Sequence, residues 1–318
     1  MRRFKNILLV ANDGHEATLA RASTLARRNG ARLTLLDVIE EWPQEVFAPS
    51  LPQSLDELEL LMIEERRRRL EELLAPLRDE GIETAAKVLC GKPFLEIIRQ
   101  VLRDGHDLVM ATATGRGGLH EMLFGSTEMH LMRKCPCPVW VIKPSQRKPF
   151  ARILAAVDLA PCDAEHESLN VKIMALATSL ARLEGSELHI VHAWQCPGES
   201  LLRSPRSGVP PQEVNRLVRE EKKQRAVRLD GLLQRYDLQA VPHQVHLLKG
   251  RADEVVLAIA RSKRVELIVM GTVCRTGIAG FFIGNTAENT LRRVHCSALT
   301  VKPDGFETPV TLNGEASS

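Results

Sequence analysis

Two sets of residues have the types and spacing to do chemistry. The first is glycine-rich. After the apolar run Leu267–Met270 come Gly271, Cys274, Gly277, Gly280 and Gly284, followed by Asn285 and Thr286. Glycines in such a loop let backbone N–H groups close on phosphate oxygens, and a helix that begins beside them offers its unpaired N–H groups and positive end. Asn285 or Thr286 is placed to cap such a helix, running to about Arg293. A weaker version occurs earlier, where Thr112, Gly115, Gly125 and Ser126 follow Leu108–Met110. The second set is histidine: His189 and His192 in ELHIVHAW, His243 and His246 in VPHQVHLL. Spacing of three puts the members of each pair on opposite faces of a strand. If the two strands are parallel neighbours, equal spacing lets each imidazole face a partner across about 5 Å. With a further Asp or Cys such a pair would take zinc; the alternative is a set of semi-buried polar residues under helices. No nucleophile, general base or metal triad accompanies either glycine loop, so no catalytic residue is assigned.

The elements that would position these residues occur twice. An apolar strand at Ile7–Val10 precedes Asn12, Asp13 and Gly14, and another at Ile153–Val157 precedes Asp158. A shift of 146 superposes these two, whereas a shift of 159 carries Gly125 onto Gly284, Arg133 onto Arg292, Cys137 onto Cys296 and Lys143 onto Lys302. A repeat of this length is a duplicated domain. The growing shift requires an insertion in the second copy, expected at Ser200–Pro211, whose Pro, Gly and Ser content resists regular structure. Within each copy strands alternate with helices, including one from about Leu55 to Leu77 with Ser54 and Glu57 as a capping box. Its Arg66–Arg69 run reads as a solvated face. Five apolar strands per copy predict two tandem α/β domains, each a doubly wound, parallel five-stranded sheet. Such sheets take ligands at the carboxyl ends of strands where strand order reverses. Asp158 and the second glycine loop both stand at such ends.

Composition narrows the classes. The net charge of +3 comes from 43 basic and 40 acidic side chains, a near balance that gives no argument for nucleic acid or an anionic membrane. No apolar run approaches the roughly 20 residues of a membrane span. Seven cysteines, an odd number without framework spacing, point to a reducing cytoplasm. Cys135-Pro-Cys137-Pro138 reads as packing and turn formation. One Tyr and 8 Phe leave no aromatic platform for stacking bases.

The strings RKCPCPVWVIKP, GTVCRTGI, FIGNTAEN and VKPDGFETPV, in order along the chain, resemble the universal stress protein family in its tandem-domain form. Nucleotide-binding members of that family carry G-x2-G-x9-G-[ST] after strand four and an Asp after strand one that contacts adenine. The resemblance places Asp158, Ala193, Gly271, Cys274, Gly284, Asn285 and Thr286 at the site of the second copy. It places Asn12, Val38, Thr112, Gly115, Gly125 and Ser126 at that of the first. Both sites depart from the pattern. Cys274 stands at the second motif glycine and Asn285 at the Ser or Thr position. Asn12 replaces the Asp, and Thr112 stands where the first glycine belongs. Cys274 brings a Cβ into the cradle, which in left-handed geometry costs on the order of 1 kcal/mol or more.

The resemblance implies domains at 1–147 and 148–305 with a C-terminal tail at 306–318. It further implies an intramolecular pseudo-dimer pairing through Val139–Ile142 and Ala298–Val301, with homodimerisation left open. The implied function is a cytoplasmic stress-response protein that binds a ligand or partner without turnover. Two alternatives stand beside it: a switch or weak ATPase holding ATP or another adenine nucleotide in domain 2, and a carrier of a small molecule or zinc. Direct binding to nucleic acid or membrane is not expected.

Overall fold

A computed structural model of the chain describes residues 4–11, 16–40, 52–114, 124–144, 149–159, 164–272 and 284–312. Two compact units divide the described residues: the first holds 4–144 and 306–312, the second 149–272 and 284–305.

The first unit runs β1 (Asn6–Val10), α1 (Glu16–Asn29), β2 (Arg32–Ile39), α2 (Pro52–Asp79), β3 (Thr84–Cys90), α3 (Pro93–Asp104), β4 (Leu108–Thr112), α4 (Ser126–Lys134) and β5 (Val139–Ile142). Its strands lie in the order β3-β2-β1-β4-β5 with parallel pairing. Strand order therefore reverses between β1 and β4. Ile7, Leu8 and Leu9 in β1, and Leu108, Val109 and Met110 in β4, are all fully buried. Adjacent residues of a strand point to opposite faces, so both faces of these strands are covered by helices, which explains why the runs are apolar throughout rather than alternating.

Helix boundaries follow local chemistry. Pro52 opens α2, where its missing N–H costs nothing. Ser54 consequently sits inside the first turn and not at the position before it that the expected capping box requires. Gly105 ends α3 in the left-handed conformation, φ 65° and ψ 42°, its N–H bonded to the Val101 carbonyl. The C-terminal residues join the first unit: Arg99 of α3 donates through Nε to the Thr311 carbonyl at 3.2 Å, and Val310 is buried.

The second unit runs β6 (Arg152–Ala156), α5 (Ala164–Glu184), β7 (Glu187–Trp194), α6 (Glu199–Leu202), a 3₁₀ turn (Pro205–Ser207) and α7 (Pro211–Leu233). It continues with β8 (His243–Lys249), α8 (Ala252–Ser262), β9 (Leu267–Gly271), α9 (Asn285–Arg293) and β10 (Ser297–Val301). The order β8-β7-β6-β9-β10 repeats the first unit, again parallel. The insertion is more regular than its composition suggests. Gly198, left-handed at φ 71°, turns the chain into α6, and the Ser204 side chain accepts from the Arg206 N–H to close the 3₁₀ turn. Among the described residues no helix is long and apolar enough to cross a membrane.

Candidate functional site

In the second unit the reversal of strand order falls between β6 and β9. Ala156 pairs with Met270. Continuing that register by two residues sets Asp158 beside Thr272, so the end of strand one and the start of the glycine loop share one crevice. Three elements fix Asp158. Asn170 of α5, 4% exposed, accepts the Asp158 N–H at 2.9 Å and donates its amide to the Asp158 carbonyl at 2.6 Å. From α7, Arg225 donates to the Leu159 carbonyl at 2.9 Å while its Nε holds Glu221, and Arg228 reaches the same carbonyl at 3.2 Å. From β7, His192 Nδ1 lies 3.1 Å from the Val157 carbonyl and 3.4 Å from the Leu159 nitrogen, bonding one or the other according to tautomer. Half-buried Ala193 follows on β7.

The far side of the crevice is built from β9, β10 and α9. Gly271 closes β9, and an added Cβ there would come within 2.6 Å of Leu169 Cδ2, so glycine allows α5 to approach. Buried Lys302, just past β10, donates through Nζ to the Thr272 hydroxyl. The Gly284 N–H donates to the Thr272 carbonyl at 3.1 Å. Gly284, with φ −62° and ψ 137°, is itself the N-cap of α9, and no side chain caps that end. Asn285 and Thr286 are therefore the first helical residues, both exposed, and neither is the cap that their residue types suggested. Cys274 lies outside the described residues.

The first unit places the corresponding groups differently. Thr112, buried at the end of β4, bonds hydroxyl to hydroxyl with Thr18 of α1 at 2.7 Å. Val38 is half-buried on β2, beside Asp37, whose carboxylate pairs with Arg66 of α2 at 2.9 Å. Arg66 makes this pair while remaining exposed, and Arg68 and Arg69 pair with Glu65 at the same solvated face. A shift of 159 carries Arg66 onto Arg225, so one arginine from the long helix braces the strand ends in both units. Gly125 caps α4 with φ −70° and ψ 175°, and Ser126 is its exposed first residue. Sequence reasoning missed Glu128, the third residue of α4, which is 2% exposed. Its Oε1 accepts from the Thr114 N–H at 3.2 Å and the Thr114 hydroxyl at 2.7 Å, while Oε2 has no hydrogen-bond partner among the described residues. A comparison of the two copies could have found it, because Glu128 superposes on Ala287. Asn12 and Gly115 lie outside the described residues.

The histidines do not form the expected quartet. Strand register sets His189 opposite Gln244 and His246 opposite Val191, one step out of the alignment that equal spacing invited. Only one cross-strand contact results: His189 Nδ1 and His246 Nε2 are 3.2 Å apart with the rings stacked. His192 serves the Asp158 segment, and His243 is exposed with Nδ1 at 2.9 Å from the Val241 carbonyl. Burial lowers the pKa of both His189 and His246, favouring neutral rings that share one proton donor and one acceptor. Among the described residues no group of three or more His, Cys, Asp or Glu side chains is placed to hold a metal. Cys135 and Cys137 are buried free thiols 3.6 Å apart, and the neighbouring Cys135 together with burial raises the Cys137 thiol well above its usual pKa, which suits packing.

Two parallel sheets of one strand order, each with a glycine-capped helix at its switch point, define a duplicated α/β domain built around a phosphate-type cradle. The universal stress protein family model matches residues 3–143 and 149–302, and the chain belongs to that family in tandem form. Over its length it is similar to universal stress protein E of Escherichia coli strain K12, 30% identical across 99% of each chain. The corresponding protein of Photorhabdus laumondii is 27% identical across 98% of each. Among solved structures, a universal-stress-type protein of Pseudomonas aeruginosa UCBPP-PA14 superposes with a TM-score of 0.66 at 23% identity, covering 96% of this chain and 95% of that one. A universal stress protein of Archaeoglobus fulgidus gives 0.60 at 17%, covering 93% and 98%. At these identities the structures speak for the fold alone.

Proposed function

We propose that this universal stress protein works in the cytoplasm by binding, without turnover, and that its second unit holds an adenine nucleotide such as ATP. The observation that carries the reading is the bracing of Asp158. Asn170 satisfies both backbone groups of that residue, and Arg225 and His192 hold its neighbours, while the Asp158 side chain remains half-exposed at the crevice. A carboxylate held this way is a preorganised acceptor for an exocyclic amine. Across the crevice, the Gly284 cap of α9 presents helix N–H groups, and the Lys302 ammonium lies at Thr272. These are the groups that receive phosphate oxygens. No described side chain combines a nucleophile with a base there, which favours retention of nucleotide over hydrolysis.

Native mass spectrometry of freshly purified protein, followed by calorimetric titration with ATP, tests this. One bound equivalent is expected, with affinity falling at least tenfold in Asp158→Ala and no phosphate release above background. Retained affinity in Asp158→Ala would remove the assignment, and phosphate release abolished by a crevice substitution would make the protein an ATPase.

A further inference from the structure

In the first unit the position that a phosphate would occupy already contains an anion. Glu128 is almost fully buried, yet its carboxylate is not packed among apolar side chains. Oε1 takes the backbone N–H and the hydroxyl of Thr114, just past β4, and thereby bridges the end of that strand to the N-terminus of α4. Oε2 lies against the cap itself: a Cβ added at Gly125 would overlap this oxygen and come within 2.8 Å of the Thr114 hydroxyl. Among the described residues that second oxygen has no hydrogen-bond partner. A buried carboxylate oxygen at a glycine-capped helix N-terminus stands where a phosphate oxygen would be received, and the helix field favours its charge. The second unit differs at this position, among others. Gly125 and Gly284 are both N-caps with extended backbone, and the third helical residue is Glu128 in one and Ala287 in the other. Ala287 has no group that could reach the cap.

We infer that Glu128 is a built-in occupant of the first unit's phosphate cradle, and that its replacement by Ala287 is what leaves the second unit's cradle able to accept a phosphate-bearing ligand. The inference rests on the proposed nucleotide site only for its second half. For the first half, an incoming phosphate must displace a carboxylate already bonded to Thr114 and overcome like charge in a site with little water to screen it. The duplication thus yields one receiving unit and one that is permanently filled from within.

The test uses inorganic tripolyphosphate, which needs no adenine pocket, with ATP in parallel, titrated into the full-length protein by calorimetry. Glu128→Ala copies the second unit, Glu128→Gln keeps the shape without the charge, and Ala287→Glu copies the first. Circular dichroism checks that each is folded. Glu128→Ala is expected to bind one more equivalent of tripolyphosphate than wild type, and Glu128→Gln the same equivalent several-fold more weakly. Ala287→Glu is expected to lose the wild-type equivalent. If Glu128→Ala and Glu128→Gln both keep the wild-type stoichiometry, the role of Glu128 is overturned while the proposed ATP site stands. If wild type binds neither probe but Glu128→Ala binds tripolyphosphate, Glu128 keeps its role and the second-unit ATP site is the reading that fails. Unchanged binding in Ala287→Glu overturns the role given to Ala287.

Discussion

Replacing Asn170 by Ala isolates the bracing of Asp158 from the chemistry of its carboxylate. Asn170 makes two neutral hydrogen bonds, 2.9 Å from the Asp158 N–H and 2.6 Å to the Asp158 carbonyl, and makes them from a site 4% exposed. Each such bond contributes about 1 kcal/mol net, and a backbone group left without a partner costs about 1–3 kcal/mol when water cannot reach it. Asp158 is half-buried, so water satisfies part of the loss, and a total near 2 kcal/mol follows. The effect is local. It should therefore appear as faster amide hydrogen exchange at Asp158, by a factor of about 30, since 1.4 kcal/mol is tenfold. The central amides of β6 should keep their protection. Asn170→Asp preserves the acceptor for the N–H but removes the donor, and should lie between wild type and Asn170→Ala. Exchange at Asp158 that is unchanged in Asn170→Ala would show that the carboxamide does not hold the segment, and the case for a preorganised acceptor would fall with it.

Other perturbations test the remaining parts. Gly271→Ala should destabilise by about 1–3 kcal/mol through the close approach of its Cβ to Leu169, and Leu169→Ala should partly relieve that cost in a double-mutant denaturation cycle. Leu8→Ala empties a fully buried position in β1 and should cost about 2–5 kcal/mol, read as a lowered urea midpoint with unchanged slope. Burial lowers the pKa of His106, His130, His189 and His246, so the folded state binds fewer protons than the unfolded chain on acidification. Stability from these groups is complete above about pH 6.5 and is lost as pH falls through the folded values. Urea midpoints at pH 7.5 and 5.5 should therefore differ, with the smaller difference in His189→Asn; a midpoint independent of pH over that interval would contradict the burial argument.

The duplicated α/β plan was legible because it rests on period and chain order. Apolar runs such as Leu267–Met270 can lie only in strands covered on both faces, and Gly284 recurs 159 residues after Gly125. The histidines were not legible, because register decides them. The two alignments differ by one residue, a slip that changes which side chains share a face, but each strand carries one histidine on either face, so nothing in ELHIVHAW or VPHQVHLL distinguishes them. Capping was half legible: Asn285 and Thr286 have the right side chains, but a glycine with extended φ and ψ can hold the cap position one residue earlier. The solvated face of the Arg66–Arg69 run was legible, but the pairing of Arg66 was not. It depends on Asp37, which is distant in sequence and adjacent only once β2 and α2 have docked. Glu128 likewise looked like an ordinary acidic residue in the first turn of a helix.

The C-terminal segment gives the molecule an order of completion that differs from its order of synthesis. Residues 306–312 follow the last strand of the second unit, yet they finish the first, where Thr311 receives Arg99 and Val310 is sheltered. A ribosome delivers these residues after every strand of both units. The first unit to emerge is therefore still missing part of its surface while the second is being made, and Arg99 waits through some 200 residues for its carbonyl. A chain cut short after Gly305 would carry its injury in the half farthest from the cut in sequence. In this architecture a late segment of the chain acts as a seal on an early one.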